Sequence, residues 1–124
     1  MKGEIVPILN YKKQFAPLVE SGEKRQTIRA MRKRPFKAGD RLYHYTGLRT
    51  KACRKLLEST CLFADRIDIL PHGTVFINNW LCEGPMKNLA VADGFRRKGH
   101  EWQDMLAFFT QTHGLPFTGQ LIRW

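Results

Sequence analysis

The stretch 57–81, LESTCLFADRIDILPHGTVFINNWL, decides the fold. Mostly apolar side chains occupy the odd positions from Leu57 to Ile69, and this period-two alternation is typical of a strand with one buried face. We therefore predict one long strand over 57–69, bent near Asp65. The run Pro71-His72-Gly73 predicts a turn, after which residues 74–81 return as a partner strand.

Shorter strand and helix signals lie on both sides of this stretch. A short helix is predicted over 15–22, with Pro17 in its first turn and Gly22 at its end. Trp102, Met105, Leu106 and Phe109 have the spacing of an amphipathic helix, which should end at His113-Gly114. A further short helix is predicted around 89–92, and further strands at 5–9, 26–31, 41–46 and 117–124.

The length and the order of these elements predict the fold class. The chain has 124 residues, which is enough for one domain over 1–124 with its own core. Because the strands are short and mostly joined by turns, the sheet should be mixed or antiparallel and curved. We predict an α+β fold, a small β-barrel with about three flanking helices.

Composition and spacing exclude several classes of protein. With 43% hydrophobic and 26% charged residues the chain is neither disordered nor collagen-like. It contains no apolar run of membrane-spanning length and begins without the apolar region of a signal peptide. Three cysteines without CxxC spacing indicate a reducing, cytoplasmic setting. Four scattered histidines, and the lack of a phosphate-binding glycine motif, predict no metal and no cofactor.

The positive charge is concentrated in one part of the chain. The protein carries a formal net charge of +10. Residues 24–55 hold twelve basic side chains and one acid, Asp40, whereas the other 92 residues sum to −1. Such clustering favours a phosphate-binding face, with RNA as the leading partner. The alternative is a solvated basic face kept for solubility, and a membrane surface is disfavoured because the segment has no amphipathic apolar stripe.

Three short motifs, taken together and in order, resemble a known family. Residues 21–29, SGEKRQTIR, contain the pattern G-x-K-x-x-T-x-R, and KAGD follows at 37–40. The run ADGF at 92–95 then precedes the amphipathic helix. Over residues 5–124 the chain resembles the ASCH domain family of the PUA-like fold. The resemblance implies a small PUA-like β-barrel and a cleft for RNA or nucleoside ligands.

The resemblance implies three different activities. Many ASCH members are taken to bind RNA. Some small bacterial members resemble amidohydrolases that deacylate N4-acetylcytidine, and there the residues matching Lys24, Thr27 and Asp93 are catalytic, with Glu in place of Asp93. Others are described as ribonucleases, in which a tyrosine and a lysine in the region of Tyr45 and Lys51 are among the proposed active residues.

The chemistry of Lys24 and Thr27 is consistent with two roles. On an extended segment Thr27 and Arg29 share one face, and Ile28 points to the core. A neutral lysine can take the proton of a threonine hydroxyl, and nearby Arg25, Arg29 and Arg32 should lower the pKa of Lys24. The alternative is that Lys24 and Arg29 bind phosphate while Thr27 forms a hydrogen bond to a neighbouring strand.

Asp93 is predicted in the last turn of the short helix before Gly94. A carboxylate there opposes the helix dipole, so a compensating group is expected. One interpretation places Asp93 in a site with Lys24 and Thr27. The other is an Asp-Gly turn in which Asp93 caps the next helix.

The strand 41–46 carries a second candidate site. Alternation places Tyr43 and Tyr45 on one face and Leu42 and His44 on the other. Tyr45, followed by Arg49 and Lys51, suits a stacked base with adjoining phosphates, or metal-independent RNA cleavage. Tyr43 is predicted to pack in the core, and the alternative places both tyrosines there.

Two hypotheses result. The first is an RNA-binding protein with a basic cleft, able to act as a metal-independent ribonuclease, and the second is an amidohydrolase acting on an acylated cytidine. The charge over 24–55 exceeds what a free nucleoside requires, which favours RNA. We expect a monomer or weak dimer. The predicted RNA-binding residues are Lys24, Arg25, Arg29, Arg32, Lys33, Arg34, Tyr45, Arg49 and Lys51.

The first hypothesis predicts a salt-dependent affinity for RNA. The logarithm of the binding constant should fall linearly with the logarithm of salt concentration, because each neutralised phosphate releases counterions. Replacing Arg32, Lys33 and Arg34 together by glutamate should reduce that slope, by roughly one for each phosphate contact that is lost. Titration of labelled RNA at several salt concentrations measures the slope, and a salt-insensitive affinity would contradict the basic-face hypothesis.

Overall fold

The structure is a computed structural model, and it describes residues 8–124. One strand and one helix are followed by six strands, two helices and a final strand. The strands are β1 Ile8–Tyr11, β2 Gln26–Ala30, β3 Arg41–Thr46, β4 Arg54–Thr60, β5 Phe63–Ile69, β6 Val75–Ile77, β7 Trp80–Leu81 and β8 Phe117–Arg123. The helices are α1 Ala16–Ser21, α2 Met86–Ala92 and α3 Glu101–Thr112.

Most of the predicted elements are confirmed. Pro17 lies in the first turn of α1, and Gly22 ends that helix in the left-handed conformation. The strands predicted over 26–31, 41–46 and 117–124 are β2, β3 and β8. Of the strand predicted over 5–9, residues 5–7 lie outside the described residues, and the rest belongs to β1, which continues to Tyr11.

The strands form two sheets. One has the order β1-β3-β4, with β1 parallel to β3, and the other has the order β2-β8-β5-β6-β7, with antiparallel neighbours throughout. The prediction of an α+β fold with a mixed sheet and three helices is confirmed for residues 8–124. The strands described do not close into one barrel, however, because each sheet keeps its own edges.

The predicted continuous strand over 57–69 is wrong. The chain leaves the first sheet after β4 and enters the second with β5, so the break lies at Cys61-Leu62 and not near Asp65. The hydrogen bonds of the backbone explain the change of sheet. The Cys61 N–H donates to the Asp40 carbonyl, and the Leu62 N–H donates to the carbonyl of Arg123 at the end of β8, each over 2.8 Å. Because the side-chain alternation continues through the break, the sequence pattern does not reveal it.

The predicted hairpin after Ile69 is confirmed, with one difference. Ile67 pairs with Ile77, and Ile69 pairs with Val75. The segment predicted as one returning strand is divided into β6 and β7 by a turn at Asn78-Asn79, where both residues have positive φ. Asparagine tolerates this conformation better than most residues.

A single cluster of buried hydrophobic side chains joins both sheets and the three helices. The helix α3 buries Met105 and Phe109 almost completely, as its spacing predicts. The other elements contribute Leu9, Val19, Leu42, Ile67, Leu89 and Ile122 to the cluster.

No helix within residues 8–124 is long and apolar enough to cross a membrane.

The pairing of β2 with β8 sets the position of the polar residues on β2. Thr27 lies opposite Ile122, and Ala30 lies opposite Gly119. A Cβ atom on Gly119 would come within 2.1 Å of the Arg29 carbonyl oxygen and 2.7 Å of the Phe117 ring. Only a residue without a side chain permits this approach of the two strands.

Replacing Gly119 by alanine should therefore lower the free energy of unfolding by about 3 kcal/mol, the upper part of the usual cost of overpacking. The matched control is Thr118→Ser on the same strand, an exposed position where we expect a change of less than about 0.5 kcal/mol. Denaturant unfolding of both variants tests this. If Gly119→Ala were as stable as Thr118→Ser, the close approach of β2 and β8 would not require glycine at position 119.

Candidate functional site

Lys24, Thr27, Arg29 and Asp93 lie around one cavity of about 250 Å³. The residues come from distant parts of the chain, namely the turn before β2, β2 itself and the end of α2. The sequence predicts this grouping for Lys24, Thr27 and Arg29, and offers it as one of two interpretations for Asp93. The remaining lining side chains include Tyr11, Phe15, Phe108, Phe109 and His113.

Lys24 and Asp93 form a buried ion pair. The distance from Lys24 Nζ to Asp93 Oδ1 is 3.3 Å, and the two side chains are 3% and 7% exposed. The same ammonium donates a hydrogen bond to the backbone carbonyl of Asp93. It also lies 5.1 Å from the centroid of the Phe15 ring. The shorter side chain of aspartate therefore still reaches the lysine.

A carboxylate at a helix C-terminus interacts unfavourably with the helix dipole, and Lys24 is the cation that offsets this interaction. Asp93 is the C-cap of α2, and a cation bound to its carbonyl is favourable at that end of the helix dipole. The alternative, in which Asp93 caps the next helix, is wrong, because His100 is the N-cap of α3. Gly94 makes room for the arrangement, since a Cβ there would lie 2.8 Å from the Phe15 ring and 3.2 Å from Lys24 Cδ.

Burial moves the two pKa values of the pair toward each other. Loss of hydration lowers the pKa of Lys24 and raises that of Asp93, while the attraction between the partners opposes both shifts. Among the three arginines predicted to lower the Lys24 pKa, Arg29 contributes, and Arg96 adds to it. Burial is the largest cause, and the sequence did not reveal it. The neutral form of Lys24 is thus more accessible than in water.

Thr27 is held by its neighbour on the same strand. Its Oγ1 accepts a hydrogen bond from Arg29 Nε over 3.0 Å. The guanidinium carbon of Arg29 in turn lies 4.8 Å from the centroid of the Tyr11 ring. Ile28 is buried in the core, as predicted. Within residues 8–124 the ammonium of Lys24 contacts Asp93 and not the Thr27 hydroxyl, so the two side chains share the cavity without a direct hydrogen bond.

The sequence did not indicate Tyr11, which lines the cavity, or Gln26, His44 and Ser59 close to it as residues of the site. The Tyr11 hydroxyl lies 2.9 Å from His44 Nδ1, and His44 Nε2 lies 2.8 Å from Ser59 Oγ. Gln26 Nε2 lies 3.5 Å from Asp93 Oδ1. The signal for Tyr11 was its spacing of two from Leu9, which places both on the inner face of β1. The predicted end of that strand at Leu9 concealed it.

His44 shares the buried face of β3 with Leu42, as the alternation predicts. Burial, together with the nearby charge of Arg29, lowers the pKa of His44 to about 4. The imidazole therefore stays neutral at physiological pH between the Tyr11 hydroxyl and Ser59. Burial also raises the pKa of Tyr11 well above its ordinary range, so the phenol keeps its proton.

The second predicted site lies apart from this cavity. Tyr43 and Tyr45 share the opposite face of β3, as predicted. The placement of Tyr43 in the core is wrong, because it is half-buried and lies 5.7 Å from the ammonium of Lys55. Tyr45 is also half-buried, and Arg49 and Lys51 are exposed in the turn after β3. None of these residues lines the cavity of Lys24 and Thr27.

The remaining predicted RNA-binding residues lie mostly at the surface. Arg25, Lys33 and Arg34 are exposed, whereas Arg32 is half-buried with its guanidinium 4.5 Å from the centroid of the Phe36 ring. Part of the charge of residues 24–55 is already paired. Three of the basic side chains form exposed ion pairs, Arg41 and Lys55 with Glu58, and Arg54 with Glu20.

The described residues contain no group of three or more His, Cys, Asp or Glu side chains that could hold a metal ion. Comparison of the chain with protein-family models, curated proteins and solved structures finds no match. The chemistry of the site itself is therefore the basis on which a function is proposed.

The buried His44 predicts a loss of stability in mild acid. Below pH 6.5 the unfolded chain binds a proton that folded His44 accepts only near pH 4, so the free energy of unfolding falls as the pH falls through this window. The loss attributable to His44 should reach about 2 to 3 kcal/mol at pH 4.5. We expect His44→Gln to show a shallower pH dependence than the parent protein, measured by denaturant unfolding at several pH values.

The matched control for that experiment is His72→Gln, which changes an exposed histidine in the turn after β5. It should leave the pH dependence unchanged. A pH profile of His44→Gln as steep as that of the parent would mean that other groups cause the acid sensitivity.

Proposed function

We propose that the protein is a hydrolase that cleaves the amide of a small acylated nucleoside, N4-acetylcytidine or a close relative. The observation that carries the proposal is the buried Lys24–Asp93 ion pair beside Thr27 in a cavity of about 250 Å³. A cavity of this size suits one nucleoside better than a polynucleotide. The resemblance to amidohydrolase-like ASCH members supports the same reading of the three residues.

Lys24 serves as the general base in this proposal. Burial lowers its pKa, and a neutral lysine takes the proton of Thr27 as Oγ1 attacks the acyl carbon. Arg29 Nε donates to the same oxygen and stabilises the negative charge that develops there. Asp93 positions the lysine and offsets its charge whenever the lysine is protonated.

The remaining steps of the proposed hydrolysis require water as the only other reactant. The carbon–nitrogen bond breaks, and the departing exocyclic amine of cytosine takes the proton from Lys24. Water then attacks the acyl ester on Thr27, with its proton passing to Lys24. The ester bond breaks, the Thr27 oxygen recovers a proton from Lys24, and a carboxylic acid is released.

We propose RNA binding as the second function, on the exposed basic surface. Arg25, Lys33, Arg34, Arg49 and Lys51 are all exposed, and the half-buried Tyr45 precedes the last two in the chain. This combination suits a single strand, whose bases stack while its phosphates contact cations. A ribonuclease that uses Tyr45 and Lys51 would act on this surface, outside the cavity of Lys24. The three unpaired cysteines support a reducing, cytoplasmic setting.

Two substitutions separate catalysis from binding. Thr27→Ala removes the attacking oxygen and should lower the turnover of N4-acetylcytidine by at least about a hundredfold. Lys24→Arg keeps the charge but cannot act as a base, because arginine is not deprotonated in proteins. We expect a similar loss from both variants, measured as release of cytidine in the presence of EDTA. The matched control is Lys37→Arg at an exposed position, which should keep full activity.

The same variants are tested with labelled RNA. If Lys24 only binds phosphate, Lys24→Arg should have the RNA affinity of the parent protein and form the same amount of product. Thermal unfolding of each variant verifies that the buried substitutions leave the protein folded. Near-normal hydrolysis by folded Lys24→Arg would exclude the lysine-base mechanism. Cleavage of RNA by the parent protein without any release of cytidine would favour the ribonuclease over the amidohydrolase.

A further inference from the structure

A second cavity lies beside the first and differs from it in character. Its volume is about 430 Å³, and it is more open to solvent. Strands β2, β5 and β8 bring Gln26, Phe63 and Arg123 together in its wall, because Gln26 and Phe63 both pair with Arg123 in register. Its lining comprises Glu23, Arg25, Gln26, Leu62, Phe63, Ala92, Arg123 and Trp124.

The wall between the two cavities is one side chain thick in places. Gln26 lines the second cavity, and its amide lies 3.5 Å from the carboxylate of Asp93 in the first. The ring of Trp124 lines the second cavity and packs edge-on against Tyr11 of the first, with the centroids 6.3 Å apart. The two cavities are therefore neighbours, separated by Gln26 and by the contact between Trp124 and Tyr11.

The second cavity combines an apolar surface with positive charge. Leu62 is 63% exposed and Phe63 is 37% exposed, although both are large hydrophobic residues. The guanidinium carbon of Arg123 lies 5.3 Å from the centroid of the Phe63 ring. Within residues 8–124 neither Arg123 nor Arg25 forms an ion pair, and the lining contains a single acid, Glu23.

This lining matches the chemistry of a nucleotide. Aromatic rings and arginine planes stack on nucleobases, and guanidinium groups hold phosphate with paired hydrogen bonds. Within residues 8–124 the Nε atom of Arg123 is buried without a hydrogen-bond partner, and Arg123 itself lines the cavity. An anionic aromatic ligand would complement both features.

We propose that the second cavity binds the nucleotide next to the acylated cytidine in an RNA strand. The inference rests on the proposed amidohydrolase function and narrows its substrate to RNA. The modified base enters the first cavity. The adjacent base stacks on Phe63, and the phosphate that links the two nucleotides contacts Arg25 and Arg123. The exposed cations of residues 24–55 then serve the flanking strand.

The experiment compares two substrates of the same chemistry. One is free N4-acetylcytidine, and the other is a trinucleotide that carries this base at its centre. Phe63→Ala should lower kcat/KM for the trinucleotide by about tenfold or more, in line with the usual loss of one stacked base. It should leave kcat/KM for the free nucleoside unchanged, because Phe63 does not line the first cavity. Arg25→Gln should weaken the trinucleotide reaction alone, and less so at high salt.

Trp80→Ala is the matched control, since it removes a large aromatic side chain that is 80% exposed on β7. It should change neither rate. Equal losses on both substrates in Phe63→Ala, or no preference of the parent protein for the trinucleotide, would overturn the proposal.

A binding measurement separates this inference from the proposed function. Affinity for the unmodified trinucleotide is measured by calorimetry with the parent protein, Phe63→Ala and Trp80→Ala. If the parent hydrolyses neither substrate but Phe63→Ala alone weakens binding, the amidohydrolase function fails and the nucleotide subsite stands. If the three proteins bind equally or not at all, the subsite is overturned.

Discussion

The site depends on one interaction, the buried ion pair between Lys24 and Asp93. Two charges withdrawn from water are tolerated only when each finds a partner, and either one alone would be strongly destabilising. The pair joins the start of β2 to the end of α2, whose residues lie 69 positions apart. It also occupies the C-terminal end of the helix dipole, where the cation is favourable. The position of the end of α2 and the polarity of the cavity thus depend on the same ion pair.

The rest of the polar network follows from this pair. Gln26 donates toward the Asp93 carboxylate, and Arg29 spans the space between Thr27 and the Tyr11 ring. Each contact gives a partner to a group that burial has separated from water. The same burial that makes these groups costly to fold brings the pKa values of Lys24 and Asp93 together, and this makes proton transfer accessible. In the proposed mechanism, burial is therefore the cause both of the folding cost of these groups and of their reactivity.

The two cavities divide the positive charge of the protein into separate roles. Lys24 and Arg29 line the first cavity, where Lys24 is buried and Arg29 half-buried, so salt screens their charges less than those of exposed cations. Arg25 belongs to the second, more open cavity, and the exposed cations beyond it are screened by salt. A high net charge alone suggests that a protein binds RNA, but it does not indicate which residues form the binding site. In the proposed function, the cations of the first cavity act on one nucleoside and the exposed cations attract the strand.

The local elements could be predicted from the sequence, because periodicity and turn chemistry act between residues close in the chain. Pro17 and Gly22 delimit α1, and the spacing of Trp102 to Phe109 specifies α3. Alternation on β3 likewise assigned His44 to the buried face. Only the tertiary structure decided which strands share a sheet, since the pattern is identical on both sides of the break at Cys61-Leu62 while the hydrogen-bond partners change from Asp40 to Arg123. The burial that shifts the Lys24 pKa likewise depends on the packing of residues that are distant in the sequence, so no single stretch of sequence predicts it.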